Sequence, residues 1–244
     1  MNEWFRKWFA SDEYLKVYSH RNEEDANNLL NLVLNNIPQK ENYKVLDAAC
    51  GAGRHSLPLA LKGFDVTGFD LSKTLLKVAK INSAELDLDI KYVCSDIRYV
   101  NFNAKFDLIL NMFTSFGYFE NDAENFMFFE NAREFLNSDG IFVLDYFNKN
   151  YLENNVIPYS ERVTEGRLIR ENREIKNGKI IKKIKIQNND KLYEYYESVK
   201  LYSRDEIVNV FNKLGYKLIN EFGNYLGHNF NYDLSERVIL FFKL

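Results

Sequence analysis

Residues 45–56, Val45-Leu46-Asp47-Ala48-Ala49-Cys50-Gly51-Ala52-Gly53-Arg54-His55-Ser56, decide the reading of this chain. Val45-Leu46 begin a buried strand, Gly51 and Gly53 mark a tight turn, and Ser56 opens a helix. Gly51 and Gly53 lack Cβ atoms, so the backbone bends sharply and a ligand can lie against bare peptide. The following helix aims its free N–H groups and positive dipole end at the same place. Asp47, an acid, stands at the strand end just before the glycines.

One helix later, Phe64-Asp65-Val66-Thr67-Gly68-Phe69-Asp70 reads as a second strand ending in an acid. A carboxylate at that tip of a βαβ unit accepts hydrogen bonds from both hydroxyls of a ribose. Dinucleotides and S-adenosylmethionine both fit. Three features favour S-adenosylmethionine. Asp47 inside the loop entrance repels a pyrophosphate and tolerates a cationic ammonium or sulfonium. Ser56 takes the place of the third glycine of the dinucleotide fingerprint. Tyr92-Val93-Cys94-Ser95-Asp96-Ile97 reads as a third strand, whose Asp96 can accept from an adenine amino group while Ile97 covers the ring.

With these segments in order, the sequence resembles the class I S-adenosylmethionine-dependent methyltransferases. Val45 to Ser56 is similar to their first motif, Asp70 to the ribose-binding acid, and Ser95-Asp96-Ile97 to the adenine-binding motif. Phe106-Asp107-Leu108-Ile109-Leu110-Asn111-Met112-Phe113 is similar to the fourth motif, which ends beside the methyl group. The run Asn111 to Phe119 resembles a bacterial subgroup acting on small molecules and carrying a late β-sheet insertion. Ala49 departs from the pattern, since many relatives have glycine there. The resemblance implies that Asp47, Ala49, Cys50, Gly51, Gly53, Arg54, Asp70, Leu71, Ser95, Asp96, Ile97, Asn111, Met112 and Phe113 surround the cofactor. It also implies an N-terminal lid whose Tyr18 or Arg21 reaches the cofactor carboxylate.

The chain has 244 residues and a net charge of −3, enough for one α/β domain with an insertion and too acidic for a general nucleic-acid binder. It has no apolar run of about 18 residues and no signal-peptide core at Met1 to Ala10, so no membrane role and a cytoplasmic location are expected. Cys50 and Cys94 lack metal-ligand spacing, and no metal is expected.

Strand–helix alternation predicts a doubly wound, Rossmann-like α/β fold. The resemblance adds a seven-stranded, mostly parallel sheet closed by an antiparallel hairpin. Residues 1–22 carry Trp4, Phe5 and Trp8 at helical spacing and form the lid. Residues 23–155 form the cofactor-binding core, with helices over Glu23–Asn36, Ser56–Lys62, Ser72–Asn82 and Ala123–Leu136. Asp139-Gly140 is expected to turn into a fifth strand, Ile141–Asp145. Between residues 156 and 202, Asn177-Gly178 and Asn188-Asn189-Asp190 separate three β-rich runs, an inserted antiparallel sheet. Ser203-Arg204-Asp205-Glu206 is a capping box, and residues 203–244 return to the core with strands Tyr216–Phe222 and Arg237–Phe242.

Methyl transfer is an SN2 displacement from a sulfonium carbon, so alignment and exclusion of water matter more than a strong base. Asp145 is the candidate acid or base by position, with Tyr118 and His228 as further candidates. Ser115, Tyr118 and Asn148 are candidate substrate contacts. From Glu161 to Lys191 ten Lys and Arg stand against five acids. This basic sheet suits a cover that attracts an anionic group, with Arg162, Arg167, Arg170 and Arg173 as contacts, or a face that pairs with a second subunit. The expected activity is methyl transfer to N or O of a small metabolite, a sugar, a nucleotide-linked sugar or a phosphorylated precursor, by a monomer or homodimer. The alternatives are an RNA or protein methyltransferase, a non-catalytic S-adenosylmethionine-binding protein and a nicotinamide-dependent oxidoreductase.

Overall fold

The computed structural model describes residues 3–18, 23–38 and 40–244, apart from the Glu23 side chain. Arg21 lies outside them. Two short helices, α1 (Trp4–Phe9) and α2 (Asp12–Val17), precede α3 (Glu23–Asn35). The core then alternates β1 (Lys44–Ala48), α4 (Ser56–Leu61), β2 (Asp65–Asp70), α5 (Lys73–Glu85), β3 (Lys91–Cys94), β4 (Phe106–Asn111), α6 (Asp122–Phe135) and β5 (Leu136–Phe147). After α7 (Lys149–Asn155) comes the insertion, β6 (Tyr159–Thr164), β7 (Arg167–Lys176), β8 (Lys179–Asn188) and β9 (Lys191–Lys200). The chain closes with α8 (Arg204–Lys213), β10 (Lys217–Phe222) and β11 (Arg237–Lys243).

The seven-stranded sheet has the order β10-β11-β5-β4-β1-β2-β3. Strands β1 to β5 run parallel, and β11 is antiparallel to both β5 and β10. The architecture is therefore the doubly wound sheet with a closing hairpin that was expected. Adjacent strand residues face opposite sides. Leu46 and Ile109 join one apolar cluster with α6 and α8, while Val45, Leu108 and Leu110 join another with α3. Each sheet face is thus covered by helices, and the strands are apolar throughout, as burial on both faces requires. Strand order reverses between β1 and β4, and the crevice at that switch point is where such sheets bind ligands.

Three local expectations differ. The insertion has four strands in the order β6-β7-β8-β9 rather than three. Strand β6 alternates charged and apolar residues so weakly that periodicity alone did not mark it. Asp139-Gly140 does not end a helix with a turn. It lies inside β5, where the register with β4 jumps from Phe106/Leu136 to Leu108/Ile141. Glycine suits this position, because a Cβ would lie 2.9 Å from the backbone oxygen of Asn137. The N-terminal aromatic segment forms two helices broken at Ala10–Ser11. By contrast Asn177 and Gly178, at φ 52° and 67°, form the expected tight hairpin turn. Ser203 and Glu206 form the expected reciprocal cap.

Candidate active site

A cavity of about 610 Å³ opens over the carboxyl edge of β1, β2 and β4. This size suits a small-molecule site. Its walls come from α1 and α2, the glycine turn, the segment after β4, and the inserted sheet. Among residues expected at the cofactor, Tyr18, Asp47, Ala49, Cys50, Gly51, Arg54, Asp70, Met112 and Phe113 line it, and Ser115 and Tyr118 line it beside them.

The turn is built from left-handed backbone. Ala49, Gly51 and Gly53 have φ of 57°, 57° and 84°. Alanine is uncommon in that conformation, so Ala49 stores local strain. The glycines serve different ends. A Cβ on Gly51 would meet only Leu75 Cδ1 at 3.8 Å, whereas one on Gly53 would lie 2.9 Å from the Tyr92 hydroxyl and 3.3 Å from Ala79 Cβ. Gly53 lets α4 pack closely against its neighbours and does not line the cavity.

Two acids meet this turn. Asp70 accepts hydrogen bonds from Gly51 N at 2.9 Å and Ser72 N at 2.7 Å. Burial raises its pKa against the pull of those N–H donors. Asp47 is 1% exposed and accepts from Ser56 Oγ at 2.6 Å. Burial, with the nearby Asp70 charge, pushes it up to about 6 against the Ser56 hydrogen bond. A cation arriving in the cavity favours the ionised form of both. Burial also raises the Cys50 thiol, which stays protonated.

These residues fit an S-adenosylmethionine cofactor. Gly51 leaves open space, Asp70 presents a carboxylate on the wall, and the buried Trp4 Nε1 has no hydrogen-bond partner. Trp4 also lines the cavity.

The adenine end is arranged differently from expectation. Asp96 does not line the cavity and is held by cations. Arg98 donates to it from Nε at 3.0 Å and Nη2 at 2.8 Å, and Arg6 of α1 donates from Nη2 at 2.9 Å. Burial pushes the Asp96 carboxyl up, but the arginines outweigh it and hold the pKa low. Leu71, Ser95 and Ile97 are likewise outside the lining, and α1 lies across this region, with Phe9 O accepting from Ser72 Oγ at 2.6 Å.

The segment after β4 is strained. Phe113 and Thr114 both have positive φ, 52° and 62°. Phe113 N donates to Asp145 Oδ2 at 2.9 Å and Thr114 N to Asp145 O at 3.1 Å, which fixes the turn. Asp145 itself is fully buried behind the wall. It receives Arg237 Nε at 2.8 Å and the Tyr225 hydroxyl at 3.2 Å. Burial raises its pKa against the pull of Arg237. Asp145 therefore reaches the cavity through Tyr225 and Arg237, which do line it. Sequence reasoning missed both. An arginine opening the otherwise apolar run Val238–Phe242 was the available signal for Arg237.

Asn111 is buried beneath the wall, its Nδ2 at 3.4 Å from Ala48 O. Asn148 caps α7 and donates to Tyr232 O at 2.7 Å and Ser235 O at 2.8 Å, which ties down the loop before β11. His228 is exposed and bonded to Asn224.

The inserted sheet forms the far wall through Arg173, Ile180, Lys182, Glu197 and Val199. Arg162 and Arg167 instead clamp α2: Arg162 Nη2 donates to Val17 O at 2.7 Å, and Arg167 Nε to Glu13 at 3.0 Å. Tyr18 joins the same clamp. Its hydroxyl donates to Glu197 and accepts from Lys182 Nζ at 2.7 Å, while Trp8 Nε1 donates to Glu197 at 2.7 Å. Among the described residues, no group of acids, histidines and cysteines is arranged to hold a metal ion, and no helix is long and apolar enough to cross a membrane.

A family model described as a methyltransferase domain matches residues 45–140. A Bacillus subtilis protein, YqeM, assigned by name to the methyltransferases, is 33% identical over 108 residues, 43% of this chain and 42% of that protein. The chain spans less than half the length of the curated relatives it matches first. Among solved structures, an S-adenosylmethionine-dependent methyltransferase from Clostridium acetobutylicum superposes with a TM-score of 0.80 at 19% identity, over 95% of this chain and 96% of that one. CalS10, an amino pentose methyltransferase from Micromonospora echinaspora, superposes with a TM-score of 0.68 at 16% identity, over 96% and 98%. At these identities the structural likeness is one of fold.

Proposed function

We propose that this chain, whose residues 45–140 are a methyltransferase domain of the class I S-adenosylmethionine-dependent type, transfers a methyl group to N or O of a small metabolite. The supporting observation is that one cavity joins the glycine turn and Asp70 to the strained, hydroxyl-bearing segment after β4. Bound there, S-adenosylmethionine supplies an electrophilic methyl carbon and a neutral thioether leaving group.

The chain's own residues bind, orient and exclude water. Asp70 takes the ribose hydroxyls, and Asp47 makes the turn hospitable to positive charge. Thr114, Ser115 and Tyr118 offer hydroxyls to the acceptor from the wall. Asp145 is a positioning residue that fixes Phe113, Tyr225 and Arg237. The helices α1 and α2 and the inserted sheet enclose the site, which supports an acceptor small enough to be buried beneath them. The sugar, nucleotide-linked sugar or phosphorylated precursor suggested by the sequence fits that size, and a structural neighbour is named for an amino pentose.

The test is methyl transfer from methyl-labelled S-adenosylmethionine to separated small-metabolite, RNA and protein fractions. Label in the small-metabolite fraction supports the proposal. Label confined to RNA or protein contradicts it.

A further inference from the structure

One end of the cavity is rich in donors fixed before any ligand arrives. The His55 ring is 5% exposed and stacks on Phe113, centroids 5.1 Å apart at 28°. Its Nε2 is buried without a hydrogen-bond partner. Tyr225 meets Phe113 edge-on at 5.8 Å, and the Arg237 guanidinium lies 5.7 Å from the Tyr225 ring. Arg237 is held in place by Asp145 and by Nη2 donation to Thr114 Oγ1 at 3.0 Å. His55, Phe113, Thr114, Tyr225 and Arg237 all line the cavity.

A buried imidazole nitrogen without a partner is costly, and a ligand oxygen that accepts from it removes that cost. We propose that the end of the cavity framed by His55, Phe113, Tyr225 and Arg237 docks an oxyanion of the methyl acceptor, a carboxylate or phosphate group. This rests on the methyltransferase reading above and narrows its substrate class.

Three observations favour this ligand. Burial and the neighbouring Arg54 charge hold His55 neutral, with its pKa lowered to about 3. In the tautomer with the proton on Nε2 it is a donor to oxygen that needs no protonation. Arg237 adds charge-assisted donors in a fixed orientation, suited to carboxylate or phosphate oxygens. The Asp145 oxygens are engaged by Arg237, Tyr225 and Phe113, so they do not face an incoming anion. Asp25 is a further acid on the cavity wall, close enough to raise the Tyr225 pKa. Arg54, over the Phe113 ring at 5.5 Å, supplies the opposing charge.

The position assigns the oxyanion to the acceptor rather than to the cofactor. Asp70 ends β2 and Arg237 begins β11, four strand spacings away in the sheet order. At ~4.8 Å per spacing that is ~19 Å along the sheet edge. A cofactor with its ribose at Asp70 and its amino-acid end over Ala49–Gly51 leaves the Arg237 side, towards which His55 stacks on Phe113, to its reaction partner.

The experiment titrates inorganic phosphate at constant ionic strength into full-length protein saturated with S-adenosylhomocysteine, followed by calorimetry. It uses the unaltered chain, His55→Leu and His55→Gln. Loss of a hydrogen bond to a charged group weakens binding by about 10- to 100-fold. Phosphate binding should fall by that factor in His55→Leu and be largely kept in His55→Gln, whose amide still donates. His55→Leu should melt no lower than the unaltered protein, because it removes an unpartnered buried nitrogen. S-adenosylhomocysteine affinity should be unchanged in both variants. Equal phosphate binding in all three proteins, or no saturable binding in any, overturns the proposal. So does an S-adenosylhomocysteine affinity reduced with the phosphate affinity, which would assign this end to the cofactor. Failure of the cofactor reading appears separately, as no S-adenosylhomocysteine binding by the unaltered chain. Phosphate titration of the protein alone then still decides between the variants.

Discussion

The fully buried carboxylate of Asp145 grips the guanidinium of Arg237 through Nε at 2.8 Å and Nη2 at 2.7 Å, and so sets an arginine in the cavity wall. Removing one partner leaves a charge without compensation in the interior. Arg237→Met should destabilise by about 3–5 kcal/mol. Adding Asp145→Leu to it should recover much of that loss, because a neutral pair replaces a stranded carboxylate. Urea unfolding of the four proteins of the cycle measures the coupling.

Asp47 gives a pH dependence with a definite sign. Its pKa rises from 3.8 in the unfolded chain to about 6 in the fold. A carboxyl raised in this way favours the protonated folded form. Its stabilising contribution is present below about pH 4 and is lost as pH rises through about 6. Asp47→Asn removes the dependence. Without ligand, the stability of the variant relative to the unaltered protein should grow by ~3 kcal/mol between pH 4 and pH 7. Chemical denaturation of both proteins across that range checks this.

The two glycines of the turn should separate folding from binding. Gly53→Ala forces a Cβ against Tyr92 and Ala79 at positive φ, and should cost about 1–3 kcal/mol. Gly51→Ala meets no close neighbour and should cost about 1 kcal/mol for its left-handed backbone alone. Its larger effect should be on S-adenosylhomocysteine affinity, since Gly51 lines the cavity. Thermal melts with and without that ligand distinguish the two.

An adenine amino group docking on Asp96 would compete with Arg6, which donates to that carboxylate. The Arg6 side chain is 47% exposed, so its pair with Asp96 adds little to stability. Arg6→Ala should leave the melting temperature nearly unchanged and raise S-adenosylhomocysteine affinity by up to about fivefold. Calorimetric titration of that variant provides the check.

The alternation of strands and helices, Asp47, Gly51 and Asp70 were legible in the sequence because each follows from local chemistry: a buried strand, a tight turn and a strand-end acid. Phe113 and Ser115 were legible instead through the resemblance carried by the run Asn111 to Phe119. The hairpin turn at Asn177-Gly178 needed only the left-handed preference of those residues. Arg237 and Tyr225 were not legible, because their place in the wall depends on β11 inserting between β5 and β10, roughly 90 residues after Asp145 in the case of Arg237. Arg162 and Arg167 were placed on the correct element, but strand alternation does not say whether an arginine points to a ligand or to a neighbouring helix. The structure puts both on α2 and leaves Arg173 and Lys182 at the cavity. The place of His55 in the wall was not legible either. Its unpartnered nitrogen appears only once Phe113 has stacked against it.

The most direct measurement is calorimetric titration of the purified protein with S-adenosylmethionine and S-adenosylhomocysteine, with NADH as control, repeated on Asp70→Ala. Micromolar binding of both sulfur ligands, no NADH binding, and loss of binding in a variant that remains folded are expected. Binding of NADH alone, or no binding of either sulfur ligand by folded protein, would contradict the cofactor assignment.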